Sequence, residues 1–294
     1  MRSKGRNVLD KAFLLTAVVL LVQLAIGINL CMAVEISGKK NDKTIKIETD
    51  MYEVHWKTAQ QMGYIIAYVK KKKEKLLLFE EIAGRRLYHS ANYAGWKDWG
   101  PLKDFKVLEN KAGMARIEFI SDDGASKEYV CVATFWDGSP LIKHKVTVKA
   151  KANVVSFSDG HEPMYEVRSP IKGRLKWDSE GDKGPYAHTA FWTKSGGFSA
   201  LYATDSQVVA REFPAWQADG RMDLDHKNLG KQVKKGQVSD PIVYWVAFGV
   251  GGKNEAHDLA KTVAEVKDGD LAPQAVEAAS KLSTRWGEIK ASTR

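Results

Sequence analysis

The sequence predicts an all-β protein: a large antiparallel β-sandwich, or supersandwich, with one or two short C-terminal helices. Short runs of alternating apolar and polar residues recur along the chain, Asp-Gly turns punctuate them, and a helical period appears only near the end. Residues 45–51 alternate Ile45, Ile47, Thr49 and Met51 with Lys46, Glu48 and Asp50, and 52–56 continue in that mode. Residues 63–69 and 76–79 read as strands flanking Lys70-Lys71-Lys72-Lys73-Glu74-Lys75, a solvated hairpin tip. Strands follow at 106–109, 114–121 and 127–136, the last two joined by Asp122-Asp123-Gly124-Ala125. The turn Asp137-Gly138-Ser139-Pro140 leads into 141–150. Asp-Gly between β-rich runs is a strong hairpin signal, because these residues tolerate the left-handed backbone of tight turns. In 141–150, Lys143, Lys145, Thr147 and Lys149 share one face, with Ile142, His144, Val146 and Val148 on the other. Further strands are predicted at 154–157, 164–167, 174–177, 188–193, 198–203, 206–213 and 242–249. Residues 254–266 place Ala256, Leu259, Ala260 and Val263 on one helical face, and Pro273 opens a second helix through 279 or 281.

The first 33 residues read as an export signal. Arg2, Lys4, Arg6 and Lys11 precede an apolar run from Ala12, and no charge recurs until Glu35. Ala33 is the expected residue before the cut, helped by the Gly27-Ile28-Asn29 break. The competing reading is an uncleaved anchor, since about 20 apolar residues suffice to span a bilayer. A lipoprotein is disfavoured, because Ile28-Asn29-Leu30 before Cys31 lacks the small residue beside a lipidated cysteine. The organisation expected is a signal at 1–33, a linker at 34–44, a sandwich at 45–266 and a helical or extended tail at 267–294.

Export, secreted or periplasmic, excludes ATP and dinucleotide chemistry as the natural reading. Of the net charge of +9, removing Arg2, Lys4, Arg6, Lys11 and Asp10 with the signal leaves +6. That positive charge is interspersed with Asp and Glu and shows no concentrated stripe or nucleic-acid motif, so no nucleic-acid partner is expected. A basic exported chain fits anionic polymers such as uronate-bearing or sulfated polysaccharides. A membrane is a partner only if the signal is uncleaved. Of the 2 cysteines only Cys131 survives cleavage, so no intramolecular disulfide is expected and the fold stands on its core. Cys131, in Tyr129-Val130-Cys131-Val132-Ala133, reads as a buried strand residue rather than a nucleophile. The 9 tryptophans serve a core and also suit stacking on sugar faces.

These features together resemble the galactose mutarotase-like β-supersandwich of aldose epimerases, polysaccharide lyases and glycoside hydrolases. Three stretches carry the likeness: 45–68 as an opening hairpin, 115–148 as a central strand, Asp-Gly turn, long strand and return strand, and 242–263 as a closing strand and helix. The resemblance implies a carbohydrate ligand. Aldose epimerases of this kind use histidines as acid and a late glutamate as base. Here Glu255 and Glu265 both fall in the predicted helix, which weakens simple sugar mutarotation.

Paired-cysteine and His-Glu-x-x-His zinc spacings are absent from the sequence, as are a Gly-x-Ser-x-Gly elbow and a phosphate-cradling loop. No cofactor and no metal site is therefore expected. Asp223, Asp225 and His226 are spaced too loosely for a Ca²⁺ loop. Catalytic candidates cluster in 184–192, where a loop delivers Tyr186 and His188 to a strand carrying Trp192. Abstracting a proton α to a uronate needs a base near neutral pH and a cation on the carboxylate. His188 or Tyr186 would be the base and Arg168 the neutraliser. Substrate-binding candidates are Trp96, Trp99, Trp192, Trp216, Arg86, Arg211, His89 and His161, since arginine pairs with carboxylate or sulfate and indole stacks on sugar. His144, on the apolar face of its strand, reads as a core histidine. Two functions remain open: a polysaccharide-processing protein, possible reaction β-elimination, and a non-catalytic sugar-binding or cell-surface interaction module.

Overall fold

Period-two alternation gives most strands an apolar face, and the sheets they form pack so that these faces meet. The computed structural model describes residues 34–59, 63–80, 100–111, 113–155, 187–203 and 232–265, and the strands at 89–90, 161–165, 176–180, 208–212 and 222–226. The chain divides into Met1–Met32 and Ala33–Arg294, and every described residue belongs to the second unit. The strands in chain order are β1 (Glu35–Ser37), β2 (Thr44–Glu48), β3 (Tyr52–Lys57), β4 (Gly63–Lys71), β5 (Glu74–Glu80), β6 (His89–Ser90), β7 (Leu102–Lys111), β8 (Met114–Asp122), β9 (Lys127–Trp136) and β10 (Leu141–Ala150). Next come β11 (Val154–Val155), β12 (His161–Tyr165), β13 (Lys176–Glu180), β14 (His188–Trp192), β15 (Gly197–Ala203), β16 (Val208–Glu212), β17 (Met222–His226), β18 (Gln232–Val233) and β19 (Ile242–Val250). Helix α1 (Lys253–Glu265) follows. The all-β sandwich expected from the sequence is the observed architecture.

A five-stranded sheet runs β1-β2-β3-β4-β5 and an eight-stranded sheet runs β13-β14-β15-β19-β10-β9-β8-β7. A pair, β11-β18, and a four-stranded sheet, β16-β17-β12-β6, complete the described strands. The sequence reads 34–44 as a linker, but three of its residues form β1, paired with β2. Val34 is buried and Ile36 packs on the core, a stretch too short to show a period. The lysine-rich hairpin tip is where the sequence places it: β4 and β5 pair Lys71 with Glu74 across exposed Lys72 and Lys73.

The two large sheets meet over an aromatic core. Trp56 of β3 lies flat on Phe119 of β8 at 4.1 Å, with Tyr64 edge-on at 4.8 Å. Phe248 of β19 meets the edges of Tyr52, Tyr64 and Phe79. Offset and edge-on aromatic pairs each contribute about 0.5–1.5 kcal/mol beyond area burial. At one end of the sandwich the β2–β3 and β9–β10 turns clasp each other. The Asp50 N–H donates to Asp137 Oδ1 at 3.2 Å, and the Gly138 N–H donates to Asp50 Oδ1 at 2.6 Å. Gly138 adopts φ +73°, the left-handed conformation its turn requires. Cys131 is buried in this core, and burial pushes its thiol pKa up, so it is not poised as a nucleophile.

His144 sits in the same core. It stacks on Tyr244 at 5.0 Å and shares a 2.8 Å hydrogen bond with Tyr64 Oη. Burial holds its pKa down at about 3, against 6.5 ordinarily, so it is neutral when folded. The unfolded chain therefore binds one more proton than the folded chain between those two values, and stability falls as pH drops through that window. Chemical denaturation at about pH 8 and about pH 5 is expected to show His144→Gln losing about 2 kcal/mol less than the parent over that interval. Equal losses would mean that His144 does not titrate as burial requires.

Candidate functional site

The outer face of the eight-stranded sheet, turned away from the five-stranded one, carries the site. Direct cross-strand partners share a face and lie close together. Following the register across the sheet at one level gives Glu109, Arg116, Thr134, Lys143, Trp245, Tyr202 and His188 as successive neighbours. Glu180 occupies the next position, on β13. A single polar and aromatic row thus crosses from β7 to β13.

Helix α1 divides this face. The level beside the row places Ala190, Ala200 and Ala247 in register on β14, β15 and β19. Their small side chains leave room for a helix, and Ala256, Ala260 and Val263 of α1 fill it, as the spacing predicted. Gly249 extends the accommodation: a side chain there would collide with the Phe198 ring. Glu255, in the first turn, accepts the Gly252 N–H at 2.8 Å and acts as half of a capping box. Tyr202 donates its hydroxyl to the Ala256 carbonyl at 2.6 Å, which pins the helix to the row.

His188 belongs to the covered half. It is 4 % exposed, stacks on Tyr202 at 5.8 Å, and its Nε2 lies 2.5 Å from His257 Nδ1 of α1. One proton between two such nitrogens makes the bond, so this nitrogen of His188 is occupied within the fold. Trp192 is partly buried in the same helix-facing cluster, with Phe198 and Leu259. Tyr186, Arg168, Trp96, Trp99, Trp216 and Arg86 lie outside the described residues.

His89, His161 and Arg211 are on β6, β12 and β16, three strands of the four-stranded sheet. Arg211 is opposite Asp223, His161 is opposite Asp225, and His89 is opposite Tyr165. The structure thus gathers three candidates that are far apart in sequence into one sheet, while His188 and Trp192 lie in another.

The open half of the eight-stranded face carries a line of cations with acids in register beside them. Lys143 projects between the two halves, its ammonium 5.6 Å from the Trp245 ring, and Trp245 stacks on Trp136 at 5.9 Å. Trp245 is itself 2 % exposed, so it supports Lys143 rather than offering its ring to a ligand. Beyond Lys143, Arg116 is half-buried, and Lys145 and Lys149 are exposed along β10. Glu109, Glu118, Asp122 and Glu128 provide the acidic counterweight: Glu109 is directly opposite Arg116, Asp122 pairs with Lys151 at 2.5 Å, and Glu128 is ion-paired with Lys103 and, at 3.8 Å, with Lys149. Sequence reasoning put the lysines on one face of β10 but missed Arg116, because only register brings β8 and β10 into line through β9.

The outer face of the five-stranded sheet differs. Burial alone would raise the Glu48 pKa, but hydrogen bonds from Lys46, Lys70 and Lys75 hold it well below the ordinary carboxylate range. Glu53 is likewise held down, against its burial, by His55 and Lys75. Charges there neutralise one another.

The sequence matches no known protein-family profile and no curated protein. Among solved structures, it is similar to an α-galactosidase of family GH36, AgaB from Geobacillus stearothermophilus, with TM-score 0.48 and 9% identity over 76% of this chain and 42% of that one. It is also similar to the YidC insertase, with TM-score 0.44 and 12% identity over 85% of this chain and 51% of that one. Heparan sulfate lyase HepC from Pedobacter heparinus gives TM-score 0.44 and 7% identity over 72% and 34%. The chain thus spans about half or less of the length of each.

Because the Tyr202 hydroxyl helps to hold α1 beside the His188–His257 bond, Tyr202→Phe is expected to cost about 1 kcal/mol of stability, with the loss concentrated in the helix. Amide hydrogen exchange should show faster exchange at 256–263 and little change in β9 and β10. Uniform acceleration across the sheet would rule out this local role.

Proposed function

We propose that the protein is a carbohydrate-binding β-sandwich of the cell exterior, which takes an anionic polysaccharide on the open half of the eight-stranded sheet. The observation that supports this most is the alignment of Arg116, Lys143, Lys145 and Lys149 on one sheet face. Strand geometry sets Lys143 and Lys145 about 6.8 Å apart along β10, Lys145 and Lys149 about twice that, and Arg116 about 9.6 Å from Lys143, two strands away. Cations held in line on a sheet surface suit a polymer that carries repeated carboxylates or sulfates, and a guanidinium adds two-point recognition of either group. The solved structures similar to this chain include an α-galactosidase, a heparan sulfate lyase and an insertase. A fold hosts many functions, so the ligand reading rests on the charged face.

The binding role is favoured over catalysis by His188, because its hydrogen bond to His257 keeps it from reaching a substrate proton. A second reading, a β-eliminating polysaccharide lyase, draws on the four-stranded sheet. There His161, Arg211 and Tyr165 occupy strands joined through β17, supplying a base, a carboxylate neutraliser and a second proton carrier within one small sheet.

Isothermal titration against polygalacturonate, alginate and heparin is expected to give binding to at least one polymer, weakened by salt. Arg116→Ala with Lys145→Ala should reduce affinity about tenfold or more, as the loss of two charge-assisted contacts implies. An unchanged affinity would defeat the proposed face. Unsaturated-product absorbance that disappears in His161→Ala would establish the lyase reading instead.

A further inference from the structure

The place where the chain joins the sandwich carries a further function. Val34 is 1 % exposed and packs in the core between the large sheets. Its carbonyl accepts a 3.1 Å hydrogen bond from Asn110 Nδ2 of β7, the terminal strand of the eight-stranded sheet. Cleavage after Ala33 would leave a charged α-ammonium on a residue that packs in the core, whereas an intact peptide bond carries no charge. The uncharged run from Ala12 to Val34 is long enough to cross a bilayer. The cations before it, Arg2, Lys4, Arg6 and Lys11, favour the cytoplasmic side and so place the sandwich outside.

The β7 edge beside Val34 fits this arrangement. Val107 and Leu108 are 45 % and 47 % exposed, two of the exposed large hydrophobic residues of the described chain. The register slips between Val107 and Glu109, so Leu108 has no position opposite it on β8, and the strand bulges there. Lys106 and Lys111, ion-paired with Glu118 at 3.9 Å and with Glu109 at 2.8 Å, flank the pair, their side chains 59 % and 78 % exposed. Apolar side chains bordered by long cationic ones suit the boundary between acyl chains and headgroups.

We infer that residues 12–34 are retained as a membrane anchor and that the β7 edge, through Val107 and Leu108, rests on the lipid surface. This is independent of the polysaccharide reading. The test uses the full chain reconstituted in phosphatidylcholine vesicles, with Cys31→Ser and an environment-sensitive fluorophore on Leu108→Cys. Lys194→Cys, in the exposed turn between β14 and β15, serves as the comparison. The expected result is an intact mass that includes residues 12–34, with blue-shifted emission at 108 and loss of intensity to a lipid-borne quencher, and neither effect at 194. A product that begins at Val34, or a probe at 108 quenched no more than the probe at 194, would overturn the inference.

Discussion

Burial of β19 on both faces is the constraint on which the rest of the described structure depends. Its inward residues, Tyr244, Val246 and Phe248, close the aromatic core against the five-stranded sheet. Its outward residues, Trp245 and Ala247, lie in the cluster that seats the helix. A strand in this position has no solvent face, which is why 242–249 reads as a nearly continuous apolar run. Everything on the outer face is arranged around it: α1 on the β14–β15 side, cations on the β8–β10 side, and Trp245 with Lys143 at the boundary.

That division assigns roles to residues of similar chemistry. Four histidines of the two large sheets and α1 are in three different states of use. His144 is sealed in the core and kept neutral by burial. His188 and His257 join the helix to the sheet. His55 lies in the ion network over the five-stranded sheet, paired with Glu53 at 2.8 Å. The two sheets likewise handle lysine differently. On the five-stranded sheet, Lys46, Lys70 and Lys75 converge on Glu48 and cancel it. On the eight-stranded sheet, Arg116, Lys143, Lys145 and Lys149 share the outer face with Glu109, Glu118, Asp122 and Glu128, strung along the strands rather than gathered on one group.

Much of the fold was legible in the sequence because strand period and turn chemistry are local. The 141–150 alternation, both Asp-Gly turns, the lysine tip and the helix face at Ala256, Leu259, Ala260 and Val263 follow from spacing alone. Cys131 and His144 were readable as core residues for the same reason. What was not legible depends on long-range pairing. Nothing within 188–192 says that His188 will meet His257, 69 residues away, under a helix. Nothing near Arg116 says that it aligns with Lys143 through Thr134. Val34 was hidden because a three-residue strand is too short to show a period, yet its burial alters what the preceding apolar segment means.

The central claim is that ligand occupies the open half of the eight-stranded sheet. Hydrogen-exchange footprinting of the full chain, with and without a heparin or polygalacturonate oligosaccharide, tests this most directly. New protection is expected in β8, β9 and β10 around Arg116, Thr134 and Lys143, with α1 unchanged. Protection confined to β6, β12, β16 and β17, where His89, His161 and Arg211 lie, would contradict it.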